Sequence, residues 1–267
     1  MSQSVLVTGA SSGIGAATAK HLASAGFRVF GTTRKPESLP PGAPAIEWVP
    51  MDVRDEASVS SAVSQVLAAA GALDALVCNA GFGIFGSVEE VSVDEAHAQF
   101  DTNFFGVLRC LRVVLPGMRE RARGRVVLVG SLAGRAPLPF QAHYSASKAA
   151  VDALALALRS ELHGHGVSVS LVEPGDIRTP FNEAIDFSAS ARSVYAPRIR
   201  RCQEVVEESL PKAPGPEVVA RAIHRALTAR RPRVRYPVGP DSWSVPCGRR
   251  LLPDWLTLRL VRTHYGV

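Results

Sequence analysis

Tyr144 and Lys148 stand four residues apart in an Ala/Leu-rich run, His143 to Leu162, that reads as a helix ending at Gly164. Residues i and i+4 of a helix share a face, with Cβ atoms about 6 Å apart. An ammonium about 5 Å from a phenol, at an effective dielectric of ~20, contributes ~3 kcal/mol, which predicts a tyrosine moved roughly two pH units toward neutrality. Such a phenol can pass a proton to a substrate oxygen or remove one. The spacing alone also fits an ordinary surface pair. Ser131 lies thirteen residues upstream of Tyr144, in the turn after an apolar run, where a hydroxyl can steady a carbonyl as charge builds on it.

A second constellation opens the chain. Thr8-Gly9-Ala10-Ser11-Ser12-Gly13-Ile14-Gly15 follows a short β-type run (4–8) and leads into a helical stretch, Gly13 to Ala25. Strand, glycine turn, helix is the context in which a backbone can approach a pyrophosphate, with free N–H groups and about half a positive charge at the helix start. The spacing is G-x-x-x-G-x-G. The second strand (28–32) runs on to Thr33, which is neutral, followed by Arg34 and Lys35. An acidic residue at that place would accept from a ribose 2′-hydroxyl, whereas a guanidinium binds a 2′-phosphate. The cofactor expected is therefore NADP(H) rather than NAD(H). Ser11 and Ser12 can add hydroxyl donors. Asp52 and Val53 end the third strand, with Asp55 the better candidate to cap the helix that follows.

Positioning these groups falls to alternating elements. Strands are expected at 4–8, 28–32, 46–49, 73–77, 125–129, 167–172 and 233–238. Helices are expected at 13–25, 55–70, 94–115 (closing near Pro116-Gly117), 143–162, 216–229 with proline at its first position, and 252–263. Strands alternating with helices require a parallel sheet covered on both faces. The expectation is one α/β domain over 1–267, a Rossmann-like, doubly wound sheet of about seven strands with helices on both faces. Residues 180–215 read as irregular or partly helical.

The motifs, in their order, resemble the short-chain dehydrogenase/reductase family in its single-domain branch: the Gly9-to-Gly15 loop, Asn79-Ala80-Gly81, Asn103, Ser131, Tyr144 to Lys148, and Pro174-Gly175-Asp176-Ile177-Arg178-Thr179. The likeness is dense over 4–180. It implies a catalytic group of Asn103, Ser131, Tyr144 and Lys148. Tyr144 would exchange the proton and Ser131 would orient the carbonyl. Lys148 would lower the Tyr144 pKa and hold the nicotinamide ribose. Asn103 would hold a water linking Lys148 to solvent, although a helix asparagine can also simply bond backbone. Asn79, Ala80 and Gly81 would pass beneath the cofactor, Asp52 and Val53 would touch the adenine, and Pro174, Gly175, Ile177 and Thr179 would lie near the nicotinamide. Residues 181–215 become a substrate lid, and a homodimer or homotetramer built partly from 94–115 and 143–162 is implied. The i,i+4 spacing of tyrosine and lysine argues against the enoyl reductases, and the chain length against sugar epimerases. Arg34 and the Arg235-to-Pro240 stretch resemble retinol- and steroid-type members.

Apolar residues 82, 84 and 85, 137–140, and Phe181, Ile185 and Phe187 suggest a pocket for a hydrophobic ketone, aldehyde or alcohol. Among the 267 residues, 46% are hydrophobic and 20% charged, a globular composition. The net charge of +6 lies entirely after residue 227, where eight arginines face Asp241 and Asp254. The basic, apolar segment 240–267 is read as a solvated rim, with a membrane-surface or pocket-covering role as the alternatives. No apolar run approaches the ~20 residues of a spanning helix. The start of the chain lacks the pattern of a secretory signal, so a cytoplasmic location is expected. Cys78, Cys110, Cys202 and Cys247 show no metal-site spacing, the seven histidines form no cluster, and no metal is expected. Nucleic-acid binding has no supporting motif, and a non-catalytic nucleotide sensor is disfavoured because all four catalytic positions are present.

Overall fold

The computed structural model describes residues 2–35, 45–180 and 194–267. Seven strands form one parallel sheet: β1 (Ser4–Val7), β2 (Arg28–Thr33), β3 (Ile46–Pro50), β4 (Ala75–Cys78), β5 (Gly124–Val129), β6 (Val167–Pro174) and β7 (Arg235–Val238). Their spatial order is β3-β2-β1-β4-β5-β6-β7. The order reverses at β1, so the crevice outside the carboxyl ends of β1 and β4 is the natural ligand site of such a sheet.

The strands are near-continuous apolar runs because both faces are covered. Alternate residues of one strand enter different cores. Leu6, Val126 and Leu128 meet one face, where α2 (Glu56–Ala70), α4 (Gly106–Glu120) and α5 (Ala142–Glu161) bury residues such as Val63, Leu111 and Val151. Val5, Val7, Val127 and Val129 meet the other, where α1 (Gly13–Ser24) and α7 (Glu217–Thr228) contribute Leu22 and Ile223. The doubly wound parallel sheet expected from the alternation is the one observed.

The helix expected at 94–115 differs in both extent and form. It begins as α3 (Val93–Phe100) with a Ser92/Glu95 capping box, loosens into a π-helical turn at Asp101–Phe105, and continues as α4 through Pro116 to Glu120. Pro116 does not end it. The ring sits on the exposed side, while Val114 and Met118 are buried on the other and hold the helix onto the sheet. Pro216 precedes α7 as its cap rather than forming its first turn. The terminal helix expected at 252–263 is present, set two residues later, as α9 (Asp254–Tyr265); an unexpected short helix, α8 (Ser244–Leu251), precedes it, the two separated at Leu252-Pro253 because proline cannot continue the helix before it. Within the segment expected as a lid, α6 (Ala196–Ser209) is a regular helix, and Phe181, Ile185 and Phe187 lie outside the described residues. Among the described residues no helix is long and apolar enough to cross a membrane, no metal-binding group occurs, and all four cysteines are free.

Candidate active site

The glycine loop is stapled to the end of β4. Thr8 accepts at Oγ1 from the backbone N–H groups of Asn79 (2.9 Å) and Ala80 (3.0 Å). The Asn79 amide in turn donates to the carbonyls of Thr8 (3.0 Å) and Gly9 (3.2 Å). Gly9 has φ +63°, and a Cβ there would stand 2.9 Å from Ala80 Cα. A Cβ on Gly15 would overlap the Gly9 carbonyl and lie 2.6 Å from Asn79 Nδ2. The loop therefore closes only with glycine at both places. Ser12 begins α1 without capping it by side chain, and the first turn carries no acidic residue. Its N–H groups face the crevice with no internal anion, so the residues present fit a dinucleotide's phosphates.

At the far end of the crevice, β2 finishes at Thr33, and Arg34 is exposed on the crevice wall. Asp52 is engaged by Arg54 (2.7 Å), whose hydrogen bonds hold its carboxyl below the usual range despite partial burial. Asp55, not Asp52, caps α2, accepting from Ala57 N (2.8 Å) and Ser58 N (3.2 Å).

The catalytic candidates come from three elements. Ser131 starts the tight turn after β5; its Oγ accepts from Ala133 N (3.1 Å) and reaches Pro174 O at 3.4 Å. Tyr144 and Lys148 lie one turn apart on α5, with Lys148 Nζ 5.8 Å from the Tyr144 ring centre. Lys148 is buried and donates to Val129 O at 3.0 Å. A Cβ on Gly134 would lie 2.9 Å from the Lys148 backbone, so the Ser131 turn is pressed onto α5.

The electrostatics differ from the expectation. Tyr144 is only partly covered at the crevice, yet the surrounding protein pushes its phenol above the ordinary value; a hydrogen bond with Ser131 pulls it back in part. It is Lys148 whose pKa is lowered, to about 8, by burial. Removing the ammonium from water is the cause, and the Tyr144 ring, its centre 5.8 Å from Nζ, does not offset it. Asn103 makes the backbone bonds that were the alternative reading of it. It lies buried in the π-helical turn, accepts from Phe82 N (3.0 Å), and donates to Phe82 O (3.0 Å) and Ser147 Oγ (3.1 Å). Its amide braces the Gly81-Phe82 loop against α5.

The crevice is a cleft of about 1140 Å³. It brings together Gly9, Ser11, Ser12, Gly13, Ile14, Arg34, Asp52, Val53, Asn79, Ala80 and Gly81 with Ser131, Tyr144, Lys148, Pro174, Gly175, Ile177 and Thr179. Gly15 and Asn103 are not on its wall; they support it from below. Of the apolar residues proposed for the substrate end, Phe82 and Leu138 line the cleft, whereas Ile84 and Phe85 are buried. Val206 of α6, Leu210 just after it, Val245 of α8 and Tyr265 of α9 were not singled out in the sequence, while Leu260 and Val261 of α9 fall where the pocket-covering alternative for 240–267 puts them. Spacing was the available signal for α9, since 257, 261 and 265 fall on one helical face.

Comparison with known proteins places this geometry. The family model described as short chain dehydrogenase matches residues 3–188. A 3-ketodihydrosphingosine reductase of Bacteroides thetaiotaomicron is 37% identical, covering 99% of this chain and 98% of that protein. Estradiol 17-beta-dehydrogenase 1 of Rattus norvegicus is 36% identical, over 87% of this chain and 72% of its own length. A serine dehydrogenase solved with NADP+ shares 29% identity at TM-score 0.75, covering 89% of this chain and 95% of its own. A 3-ketoacyl-(acyl-carrier-protein) reductase of Brucella melitensis solved with NADH shares 26% at TM-score 0.74, covering 88% and 95%. The chain belongs to the short-chain dehydrogenase family and is an oxidoreductase acting on C=O and CH–OH groups.

Proposed function

We propose that the protein is an NADP(H)-dependent reductase of a ketone or aldehyde carried on a large apolar body. The observation that carries this reading is the Ser131–Tyr144 hydrogen bond at the wall of the cleft, with Lys148 one turn below. A nicotinamide dinucleotide supplies the hydride when bound. Tyr144 delivers its phenolic proton to the substrate oxygen, and Ser131 donates its one hydroxyl hydrogen to the same oxygen. Lys148, held by Val129 O, offers its remaining N–H groups to the cofactor's ribose hydroxyls and stays charged below about pH 8. Gly9 to Gly15 and the start of α1 hold the pyrophosphate, and Arg34 holds the 2′-phosphate. Asn103 acts by bracing the Gly81 loop. Phe82, Leu138, Val206, Leu210, Val245 and Leu260 line the substrate end and support an apolar substrate. The names of the Bacteroides and rat relatives point the same way, to a keto sphingoid base or a steroid. Phe105 and Leu156, exposed on α3–α4 and α5, support assembly of copies through those helices.

NADPH consumption over long-chain keto amines, keto steroids, retinal and short aliphatic ketones tests the substrate class. Turnover confined to the short ketones refutes it. Tyr144→Phe is expected to abolish turnover with NADPH binding intact; retained turnover overturns the proton role.

A further inference from the structure

Among the described residues eleven large apolar side chains are exposed, and five of them, Trp243, Leu251, Trp255, Leu258 and Leu260, lie in the last two helices and the turn before them. Val261 and Tyr265, one turn apart on α9, form wall of the cleft. Beside them on the same helix, Trp255, Leu258, Arg259 and Arg262 recur at i, i+3, i+4 and i+7, a single helical stripe whose Leu258 edge adjoins Tyr265. Trp255 is 64% exposed and Leu258 59%. Isolated surface leucines need no explanation, but a stripe that alternates indole, leucine and guanidinium does.

The charges select the partner. Arg249, Arg250, Arg259 and Arg262 face two carboxylates within the same segment. Asp254 is bridged to Arg249 at 2.6 Å, and Asp241 lines the cleft. Among the described residues no carboxylate pairs with Arg250, Arg259 or Arg262. A second copy docking symmetrically would set Arg259 and Arg262 near their own counterparts, and like charges there oppose association. A lipid surface suits each group. Phosphates take the guanidinium groups, an indole rests at headgroup depth, and leucine enters the acyl boundary.

We infer that the outer face of α9 seats the protein on an anionic lipid surface. The docked stripe then adjoins the cleft face of the same helix, with Leu258 beside Tyr265. The docking itself does not depend on the proposed reaction, because it is read without turnover.

The test is sedimentation of the full chain with phosphatidylglycerol–phosphatidylcholine vesicles and with pure phosphatidylcholine vesicles, alongside tryptophan emission. Binding is expected on the anionic vesicles with a blue shift, and roughly ten-fold less in 1 M salt, where the screening length contracts to ~3 Å. Leu258→Glu and the pair Arg259→Glu, Arg262→Glu are each expected to abolish pelleting. Neither variant touches the catalytic group, so circular dichroism and turnover of a short soluble ketone should stay at wild-type levels. Absence of pelleting on anionic vesicles overturns the inference, as does binding that both variants retain. Light scattering that shows a wild-type oligomer dissociated by Leu258→Glu also overturns it, in favour of a contact between copies.

Discussion

Replacing Lys148 by methionine separates what the ammonium does in the reaction from what it costs the fold. Lys148 is 6% exposed, and burial lowers its pKa from 10.5 to about 8. At about 1.4 kcal/mol per pH unit, holding the charged form in the folded protein costs about 3 kcal/mol at neutral pH. Below pH 8 the lysine is protonated in both folded and unfolded chains, and the full cost applies. Between about pH 8 and 10.5 the unfolded chain keeps the proton that the folded protein has released, so stability rises with pH. Methionine has similar length and no charge, so it removes this dependence; it also leaves Val129 O without a donor, a loss of ~1–3 kcal/mol. The variant should therefore equal or exceed the wild type in stability at pH 7 while losing turnover. From pH 8 to 10.5 the wild type should gain ~3 kcal/mol on it, or roughly 6–12 °C in Tm. Urea unfolding of both proteins at several pH values measures this directly, because every other titrating group cancels in the difference. Parallel stability curves, or a wild type that loses ground as pH rises, would refute the reasoning.

Arg34→Asp should reverse the cofactor preference toward NADH, since a carboxylate repels a 2′-phosphate and accepts from a 2′-hydroxyl; unchanged kcat/KM ratios for the two cofactors would locate the discrimination elsewhere. Glu173, 1% exposed, accepts from Arg135 (2.5 and 2.9 Å) and Arg235 (3.0 Å), and Arg235 also pairs with Asp152 on α5. Glu173→Gln leaves these arginines undercompensated, costing ~2–3 kcal/mol because they remain partly solvated; a thermal scan should show a Tm roughly 4–12 °C lower. Gly15→Ala drives a methyl into the Gly9 carbonyl and Asn79, an overpacking worth ~1–3 kcal/mol, and should weaken NADPH binding measured by fluorescence titration. His224 meets His21 at 3.0 Å between α7 and α1, and its pKa is lowered by burial and then by His21. Its folded pKa lies below the unfolded 6.5, so stability should decline as pH falls through that value, and His224→Phe should flatten this limb of a Tm–pH profile.

What was legible in the sequence was what local rules decide. β1, β5 and β6 are valine-rich runs because a parallel strand buried on both faces admits little else, and their alternation with helices fixes the sheet class. The glycine loop was legible for a steric reason, since only residues without Cβ let Gly9 and Gly15 meet. The misreadings share a different origin. Pro116 was taken as a stop, but the burial of Met118 on the opposite face outweighs one lost backbone bond, and that burial depends on β4 and β5. The Tyr144 phenol was expected to be acidified because a pairwise distance can be inferred from helix spacing. Desolvation cannot be inferred that way, as it depends on how much of the remaining chain surrounds the pair. For Asn103 its place in the helix was visible, whereas the π-helical turn that aims its amide at Phe82 and Ser147 has no signature in local spacing. A spacing rule thus identifies which groups meet, whereas the protonation each group carries is set by the protein that closes around it.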